Sequence, residues 1–184
     1  MNPNAPVAAP FTIAPMEDAN EAAIARFVAK IPLHDLLFLD RDIREPKVRA
    51  AWRDGIAHGS VHSLIAVADG EVVATTAVIR DPLSWSAHVA EVRCLVLPEW
   101  RGKGIGRSLL EASIKQAVAD GAVKLTARMT PDQRGAITLF EETGFRAEAL
   151  LRDHVRGPDG EPHDLAILSL NVAASEARRR ALEG

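Results

Sequence analysis

The sequence has few aromatic residues, no tyrosine and a single cysteine. The absence of tyrosine and the single cysteine each exclude a kind of chemistry. Without tyrosine, no phenol hydroxyl can donate a proton in a reaction. The single Cys94 excludes a disulfide within the chain and is typical of a reducing compartment, so we expect a cytoplasmic protein. Since Cys94 lies on a predicted strand, we interpret it as a small apolar side chain rather than a nucleophile.

Charge and hydropathy give no sign of a polyanionic partner or a membrane. The formal net charge is −3, from 22 basic and 25 acidic residues, so nothing global favours nucleic acid or an acidic lipid surface. No apolar run approaches the roughly 20 residues that cross a bilayer. We therefore expect neither nucleic acid nor membrane as a partner. No cluster of His, Cys or carboxylate residues has ligand spacing, so no metal is expected.

The length of 184 residues suits one domain. Residues 1–10 lack the basic start and long apolar stretch of a secretory signal, and we expect them to be a disordered lead. Residues 11–171 are predicted to form the domain, and residues 172–184 a charged tail. From periodicity alone, the alternation of strands and helices predicts an α/β or α+β fold.

Local signals mark several element boundaries. Asp18 is expected to cap the first helix, which continues to about residue 30. Pro46 is expected to open the second helix, because proline suits the first helical position. Asp69-Gly70 is the dipeptide that type I′ turns favour, so residues 60–80 are predicted to form a β-hairpin.

The most informative segment is EVRCLVLPEWRGKGIGRSLL, residues 91–110, in which an apolar strand enters a glycine-rich loop that opens directly into an amphipathic helix. Alternating glycines allow positive φ angles and let a ligand approach the main chain closely. Main-chain N–H groups at a helix N-terminus bind anions, usually phosphates. We therefore predict a pyrophosphate site in this loop. Its members are Arg101, Gly102, Lys103, Gly104, Ile105, Gly106, Arg107 and Ser108.

Two other phosphate-binding loops fit this spacing poorly. A P-loop needs Ser or Thr after Gly-Lys, whereas Gly102-Lys103 is followed by Gly104. A dinucleotide fingerprint reads G-x-G-x-x-G, and the strand after its helix should end in an acid, which the predicted strand 122–129 lacks. An NAD(P)-binding enzyme is therefore a disfavoured alternative.

The loop resembles the acetyl-CoA-binding segment of the GNAT superfamily of N-acetyltransferases, whose pattern is R/Q-x-x-G-x-G/A. Arg101, Gly104 and Gly106 occupy those places. Downstream, the segments similar to the family's N-x-x-A, Leu-Tyr and Gly-Phe are Gln133-Arg134-Gly135-Ala136, Leu139-Phe140 and Gly144-Phe145. The resemblance covers roughly residues 60–171. It implies a mixed, mostly antiparallel central sheet of about seven strands flanked by helices.

The resemblance further implies the transfer of an acetyl group from acetyl-CoA to a small-molecule or peptide amine, by direct attack in a ternary complex. The strand before the loop would hold the pantetheine and thioester through Cys94, Leu95, Val96 and Leu97. A bulge near Val96 would free an N–H for the developing oxyanion. Gln133 would hydrogen-bond the pantetheine arm. The family tyrosine that assists thiolate departure falls at Phe140, which can pack beside the sulfur but has no proton to donate.

An alkylamine has a pKa near 10.4, so a general base must take a proton before attack. Glu91 is the first candidate, because it lies on the strand beside the thioester. A solvent-exposed position or a pair with Arg93 would account equally well for a glutamate at this place. His154 is the alternative, since a histidine pKa of about 6.5 suits proton transfer at neutral pH. Some family members that acetylate protein N-termini have a glutamate base at the position of Arg128. Three further histidines are expected to be structural or exposed: His34, His58 and His62.

The sequence is compatible with more than one function and more than one oligomeric state. The missing tyrosine keeps a catalytically silent acyl-CoA-binding or sensing protein as the main rival to the transferase. Many members of the family dimerise, so a homodimer is a further expectation. One acidic segment contains Asp35, Asp40 and Asp42. We expect it either to attract a cationic amine at the acceptor entrance or to form a solvated face. The acceptor and the acyl length cannot be derived from these motifs.

Overall fold

The structure, a computed structural model, describes residues 11–174, so the expected lead and the tail from residue 175 lie outside the described residues. Its strands are β1 (Thr12–Pro15), β2 (Val61–Ala68), β3 (Glu71–Ile79), β4 (Val89–Val96), β5 (Lys124–Met129), β6 (Arg146–Arg156) and β7 (Pro162–Asn171). The α-helices are α1 (Glu21–Ala29), α2 (Pro46–Ala57), α3 (Ile105–Ala119) and α4 (Arg134–Glu142). Short 3₁₀ turns occupy Met16–Asp18, Leu33–Leu36 and Pro98–Trp100. None of the described helices combines the length and hydropathy that a bilayer crossing requires.

The seven strands form one sheet in the order β1-β2-β3-β4-β5-β7-β6. Every neighbouring pair is antiparallel except β4 and β5, which run parallel. The predicted mixed, mostly antiparallel sheet is therefore confirmed. β4 and β5 share only three residue pairs, the last of which joins Glu91 to Thr126. Beyond that pair the two strands separate, and the sheet opens in its middle.

The main chain of β4 reaches this opening without the bulge that the sequence led us to expect. β4 pairs with β3 in unbroken register from Glu91 to Val96, so the bulge predicted near Val96 was wrong. The N–H of Leu97 donates to the carbonyl of Val73 on β3 at 3.0 Å. Because N–H directions alternate along a strand, the N–H groups of Cys94 and Val96 point toward the gap. The gap itself leaves these amides free of a β5 partner.

Side chains on β4 alternate between the two faces of the sheet. Val92 and Cys94 pack in the hydrophobic cluster that includes residues of α3 and α4. Arg93 and Leu95 line a cavity on the opposite face, beneath α2. Glu91 is in phase with these two residues, so it lies on the α2 face of the sheet.

The local signals placed most helices and turns correctly. α2 begins at Pro46 as predicted. Asp69 and Gly70 have φ angles of 52° and 75°, as a type I′ hairpin turn requires. The cap of α1 was wrong: Asn20 is the N-cap, and its side-chain oxygen accepts from the N–H of Ala23 at 2.9 Å. Asp18 instead ends the short 3₁₀ turn that precedes α1.

Candidate functional site

A cleft of about 870 Å³ opens where β4 and β5 separate. Its volume lies within the range of about 300–1,000 Å³ that is usual for small-molecule sites. β4, the glycine loop, the start of α4 and the segment before α2 contribute its walls. The lining residues that the sequence predicted are Cys94, Leu95, Val96, Arg101, Gly102, Gly104, Gly106, Arg107, Gln133 and Phe140.

The main chain of the glycine loop forms an anion-binding concavity at one end of the cleft. Within the described chain, none of the N–H groups of residues 102–107 donates to a main-chain carbonyl; the first that does is Ser108, to Gly104 at 3.0 Å. Gly102 and Gly104 have φ angles of 72° and 81°, and a Cβ added to either would meet nothing within 4 Å. The loop therefore presents open main-chain donors beside the positive end of α3.

Gly106 serves a different purpose from the other two glycines. Its φ angle is not positive, so the expectation of positive φ was wrong at this position. A Cβ on Gly106 would lie 2.9 Å from a methyl of Leu139 and 3.4 Å from a methyl of Val96. Gly106 is the second residue of α3, where helical geometry is fixed, and its lack of a side chain lets α3 approach α4 and β4.

Arg101 links the loop to both walls of the cleft. Its Nε donates to the carbonyl of Val96 at 3.1 Å, and its guanidinium reaches the carboxylate of Asp35 at 2.5 Å. The same carboxylate accepts from the amide of Gln133 at 3.5 Å. Gln133 also accepts from the N–H of Thr130 at 3.2 Å. Asp35 thus connects two residues that the sequence assigned to the coenzyme.

The other two predicted cations have partners of their own. Arg107 lines the cleft and pairs with Glu142 on α4. Lys103 places its ammonium 4.3 Å from the centre of the Trp100 ring and is absent from the cleft lining. Sequence reasoning missed Arg134, which lines the cleft from the first residue of α4.

Some predicted side chains point away from the cleft. Leu97 and Ile105 are buried in the hydrophobic core, so only their main chains can serve a ligand. Ser108 is also absent from the lining. Phe140 is buried and lines the cleft, with its ring 5.0 Å from that of Phe145 in an edge-to-face arrangement.

Cys94 lines the cleft, but its thiol is chemically passive. Burial raises the pKa of this thiol to about 12. Because the thiolate is the nucleophile, a thiol with this pKa is not a catalytic group at neutral pH. Within residues 11–174, no group of three or more His, Cys, Asp or Glu side chains is placed to hold a metal ion.

Glu91 belongs to a group of four charges, which we call the charge cluster: Asp40, Glu91, Arg93 and Arg128. The Glu91 carboxylate accepts from Arg93 at 2.6 Å and from Arg128 at 3.0 Å. Asp40 accepts from Arg128 at 2.7 and 2.9 Å and from Arg93 at 2.7 Å. Hydrogen bonding to Arg128 lowers the pKa of Asp40 to about 2, although partial burial opposes this. The same bond raises the pKa of Arg128.

The histidines are arranged differently from the expectation. His154 is exposed on β6 and does not line the cleft. His34 was expected to be structural or exposed, but its ring lines the cleft, with Nε2 2.7 Å from Asp132 and 3.4 Å from the hydroxyl of Thr130. Burial acts to raise the pKa of Asp132, but hydrogen bonding from Thr130 and the nearby His34 leave that pKa lowered. Neither periodicity nor a motif indicated this contact, because 96 residues separate His34 from Thr130.

A second cavity of about 280 Å³ lies on the α2 face of the sheet, and we call it the apolar cavity. It shares Arg93 and Leu95 with the cleft, so β4 contributes to the walls of both spaces. Most of its wall is hydrocarbon, contributed by Leu39, Ile43, Val48, Trp52, Ala77 and Leu95.

These features define an α/β protein with a phosphate-type site at a helix N-terminus and an open channel between two separated strands. The sequence model of the Acetyltransferase (GNAT) family matches residues 30–145. Since this is more than half of the chain, the protein belongs to that family, and the resemblance found in the sequence is confirmed.

Similar proteins of known name support the same conclusion. The chain is 29% identical over 76 residues to the [Ribosomal protein bS18]-alanine N-acetyltransferase of Escherichia coli (strain K12), covering 41% of this chain and 51% of that protein. The chain thus spans about half the length of the curated relatives it matches.

Solved structures show the same fold over nearly the whole described chain. The ribosomal-protein-alanine N-acetyltransferase from Brucella melitensis has a TM-score of 0.71 at 22% identity, covering 87% of this chain and 99% of that one. The structure of yncA from Salmonella typhimurium with its cofactor acetyl-CoA has a TM-score of 0.76 at 24% identity, covering 88% and 94%.

Proposed function

We propose that this protein transfers an acetyl group from acetyl-CoA to an amine. The observation that carries the proposal is the row of main-chain donors at residues 102–107, at the end of a cleft between two separated parallel strands. Membership of the GNAT family supports the same activity, as do the relatives named as N-acetyltransferases. Under this proposal the acceptor is a small-molecule or peptide amine.

The parts of the coenzyme are assigned by chemistry. The N–H groups of residues 102–107 would bind the pyrophosphate, because helix N-termini bind such anions. The free N–H groups of Cys94 and Val96 would bond the pantetheine arm and the thioester carbonyl along β4. Gln133 would reach the arm from the other wall. Phe140 supplies an apolar contact near the sulfur and no proton, so we propose that the thiolate leaves without a phenol donor; its pKa of about 8.5 makes that feasible.

For the base, we retain Glu91 as the first candidate. It occupies the last residue pair before β4 and β5 separate, on the face that also holds the apolar cavity. Its bonds to Arg93 and Arg128 fix its position, but they also compensate its charge. His34 is the second candidate, because its ring lines the cleft and Asp132 holds one of its nitrogens. We rank His154 third, because it is exposed on β6 and lies outside the cleft lining.

Calorimetric titration with acetyl-CoA, on the wild type and on Gly104→Asp, tests the proposed site. The added carboxylate would lie among donors that bind phosphate, so we expect an affinity loss of at least about 100-fold. Gly59→Asp is the matched control, because Gly59 also has positive φ (74°) and open space around its Cβ. Both variants carry similar backbone strain, so only Gly104→Asp should lose the ligand. Equal affinities for all three proteins would contradict the proposed site.

The rival functions give different results in the same experiments. A silent sensor would bind acetyl-CoA and release no free thiol with any amine. A nucleotide-dependent enzyme would bind NAD(P) in preference to acetyl-CoA. The cytoplasmic location, which the free Cys94 favours, and the homodimer stay predictions, to be checked by fractionation and by the mass of the protein in solution.

A further inference from the structure

The apolar cavity has a wall that suits hydrocarbon. Its volume of about 280 Å³ is at the small end of the usual range for ligand sites. Most polar groups in its wall have partners within the protein: the Trp52 indole N–H donates to Ser63 at 2.9 Å, and the Thr75 hydroxyl donates to the carbonyl of Leu64 at 2.9 Å. The charged lining residues are Asp40 and Arg93, which bond to each other, and the exposed Arg41. Burying a polar group without a partner costs free energy, so an apolar group fits this space better than a polar one.

The apolar cavity also borders the strand along which the proposed reaction would occur. Arg93 and Leu95 form part of both the cavity and the cleft. Under the inference drawn below, a molecule whose apolar body fills the cavity would extend a short polar end past this stretch of β4 toward the gap. Glu91, our first candidate for the base, lies on the same face of the sheet and bonds to Arg93 at 2.6 Å.

The charges near the cavity do not favour a polycationic acceptor. The charge cluster contains two arginines and two carboxylates, and every carboxylate in it accepts from at least two arginine nitrogens. Spermidine and free lysine carry more than one ammonium group, and each further charge would meet a cluster whose acids are already neutralised. A monoamine on an apolar group brings only the one ammonium that the base deprotonates.

We infer that the acceptor is a small primary amine attached to an apolar group, which occupies the cavity between α2, β3 and β4. This inference rests on the proposed function. In the reaction the base takes one proton from the ammonium, and the neutral amine nitrogen then forms a bond to the acetyl carbon. The carbon–sulfur bond breaks, and the sulfur leaves with the electron pair as the thiolate. The second nitrogen proton, released as the amide forms, passes through solvent to the thiolate. The same chemistry is presented by a free amine, such as phenethylamine or leucine, and by a peptide whose first residue is apolar.

The test compares acceptors and two variants. Thiol release from acetyl-CoA is measured with phenethylamine, leucine, a leucine-initiated dipeptide, lysine and spermidine. Ala51→Phe narrows the cavity from an exposed position of α2, and Ala50→Phe, its exposed neighbour outside the cavity lining, is the matched control. We expect the apolar amines to be preferred by at least tenfold in kcat/KM. Their KM should rise at least tenfold in Ala51→Phe and stay within twofold in Ala50→Phe. Comparing the dipeptide with free leucine identifies which source is used.

The outcomes separate this inference from the function on which it rests. A preference for spermidine or lysine, or an unchanged KM in Ala51→Phe, would overturn the assignment of the cavity while leaving the transferase intact. If acetyl-CoA binds and no amine releases thiol, the transferase proposal fails. Calorimetric titration with phenethylamine then tests the assignment of the cavity independently of turnover. Weaker binding to Ala51→Phe than to Ala50→Phe supports the assignment, and equal binding to both variants, or no binding, overturns it.

Discussion

Glu91 shows how one residue's neighbours decide what its charge can do. A carboxylate that accepts from both Arg93 and Arg128 is held rigidly, which favours an exact position relative to a reacting amine. The same two bonds compensate its negative charge. His34 has the opposite character, since its partner Asp132 orients the ring while the other ring nitrogen can accept a proton.

Glu91→Gln and His34→Gln distinguish the two candidates. If Glu91 is the base, Glu91→Gln lowers kcat by about 100-fold or more, with little change in acetyl-CoA affinity. We expect His34→Gln to alter KM and leave kcat within a few fold. The measurement is the pH dependence of kcat and kcat/KM in both variants. If one limb of the pH–rate profile disappears in His34→Gln while Glu91→Gln keeps the wild-type profile, the role of base belongs to His34.

Much of the glycine loop could be predicted from sequence, but the partners of its side chains could not. Positive φ at Gly102 and Gly104 follows from local geometry, and the loop-to-helix order is also local. Of the three cations that the sequence placed around this concavity, Arg101 and Arg107 line the cleft and Lys103 does not. The partner of Arg101, Asp35, lies 66 residues away in the chain, and the partner of Arg107, Glu142, lies 35 residues away. Spacing within a motif contains no information on such contacts.

At the scale of elements, the segment between α1 and α2 holds the two sides of the cleft together. Asp35 contacts Arg101 on the β4 side and Gln133 at the start of α4. Asp40 contacts Arg93 on β4 and Arg128 on β5. The sequence left these acids either as attraction for a cationic amine or as a solvated face. They are instead engaged with arginines that belong to the walls of the site.

Asp40 gives this segment a predictable dependence on pH. Its pKa is lowered from 3.8 to about 2 in the folded protein, so its contribution is complete above pH 3.8 and is lost as the pH falls through 2. Since the side chain is 58% exposed, solvent screening limits the contribution to about 1 kcal/mol or less. We expect Asp40→Asn to be less stable than the wild type at pH 7, with the difference shrinking between pH 4 and 2. Urea unfolding at several pH values measures this, and a difference that stays constant to pH 2.5 would contradict the assignment.

At the scale of the whole molecule, the sheet has one weak seam. β4 and β5 share three residue pairs, whereas β2 and β3 share eight, with one register shift between Ala66 and Val67. The sequence predicted the hairpin and the strand–loop–helix unit, because turn dipeptides and glycine spacing are local signals. It could not predict where β4 and β5 separate, because the register between strands that are distant in the chain has no local sequence signal. The resemblance to a family supplied the sheet type that periodicity alone left open.

This seam predicts where acetyl-CoA should change the dynamics of the protein. A ligand that bonds the free amides of β4 should slow hydrogen exchange at Cys94, Val96 and residues 102–107. Exchange in the β2–β3 hairpin should change little, since its amides are already paired along both strands. Mass-spectrometric hydrogen exchange with and without acetyl-CoA tests this. Uniform slowing across the sheet, or none in β4, would contradict binding at the seam.

The passive thiol of Cys94 has a practical consequence for work on this protein. Since its pKa is about 12, a maleimide or iodoacetamide reagent used near neutral pH meets almost no thiolate there. The sequence contains no second cysteine. A cysteine engineered on an exposed turn therefore becomes a single attachment point for a fluorophore or spin label, with the native sulfur left in place.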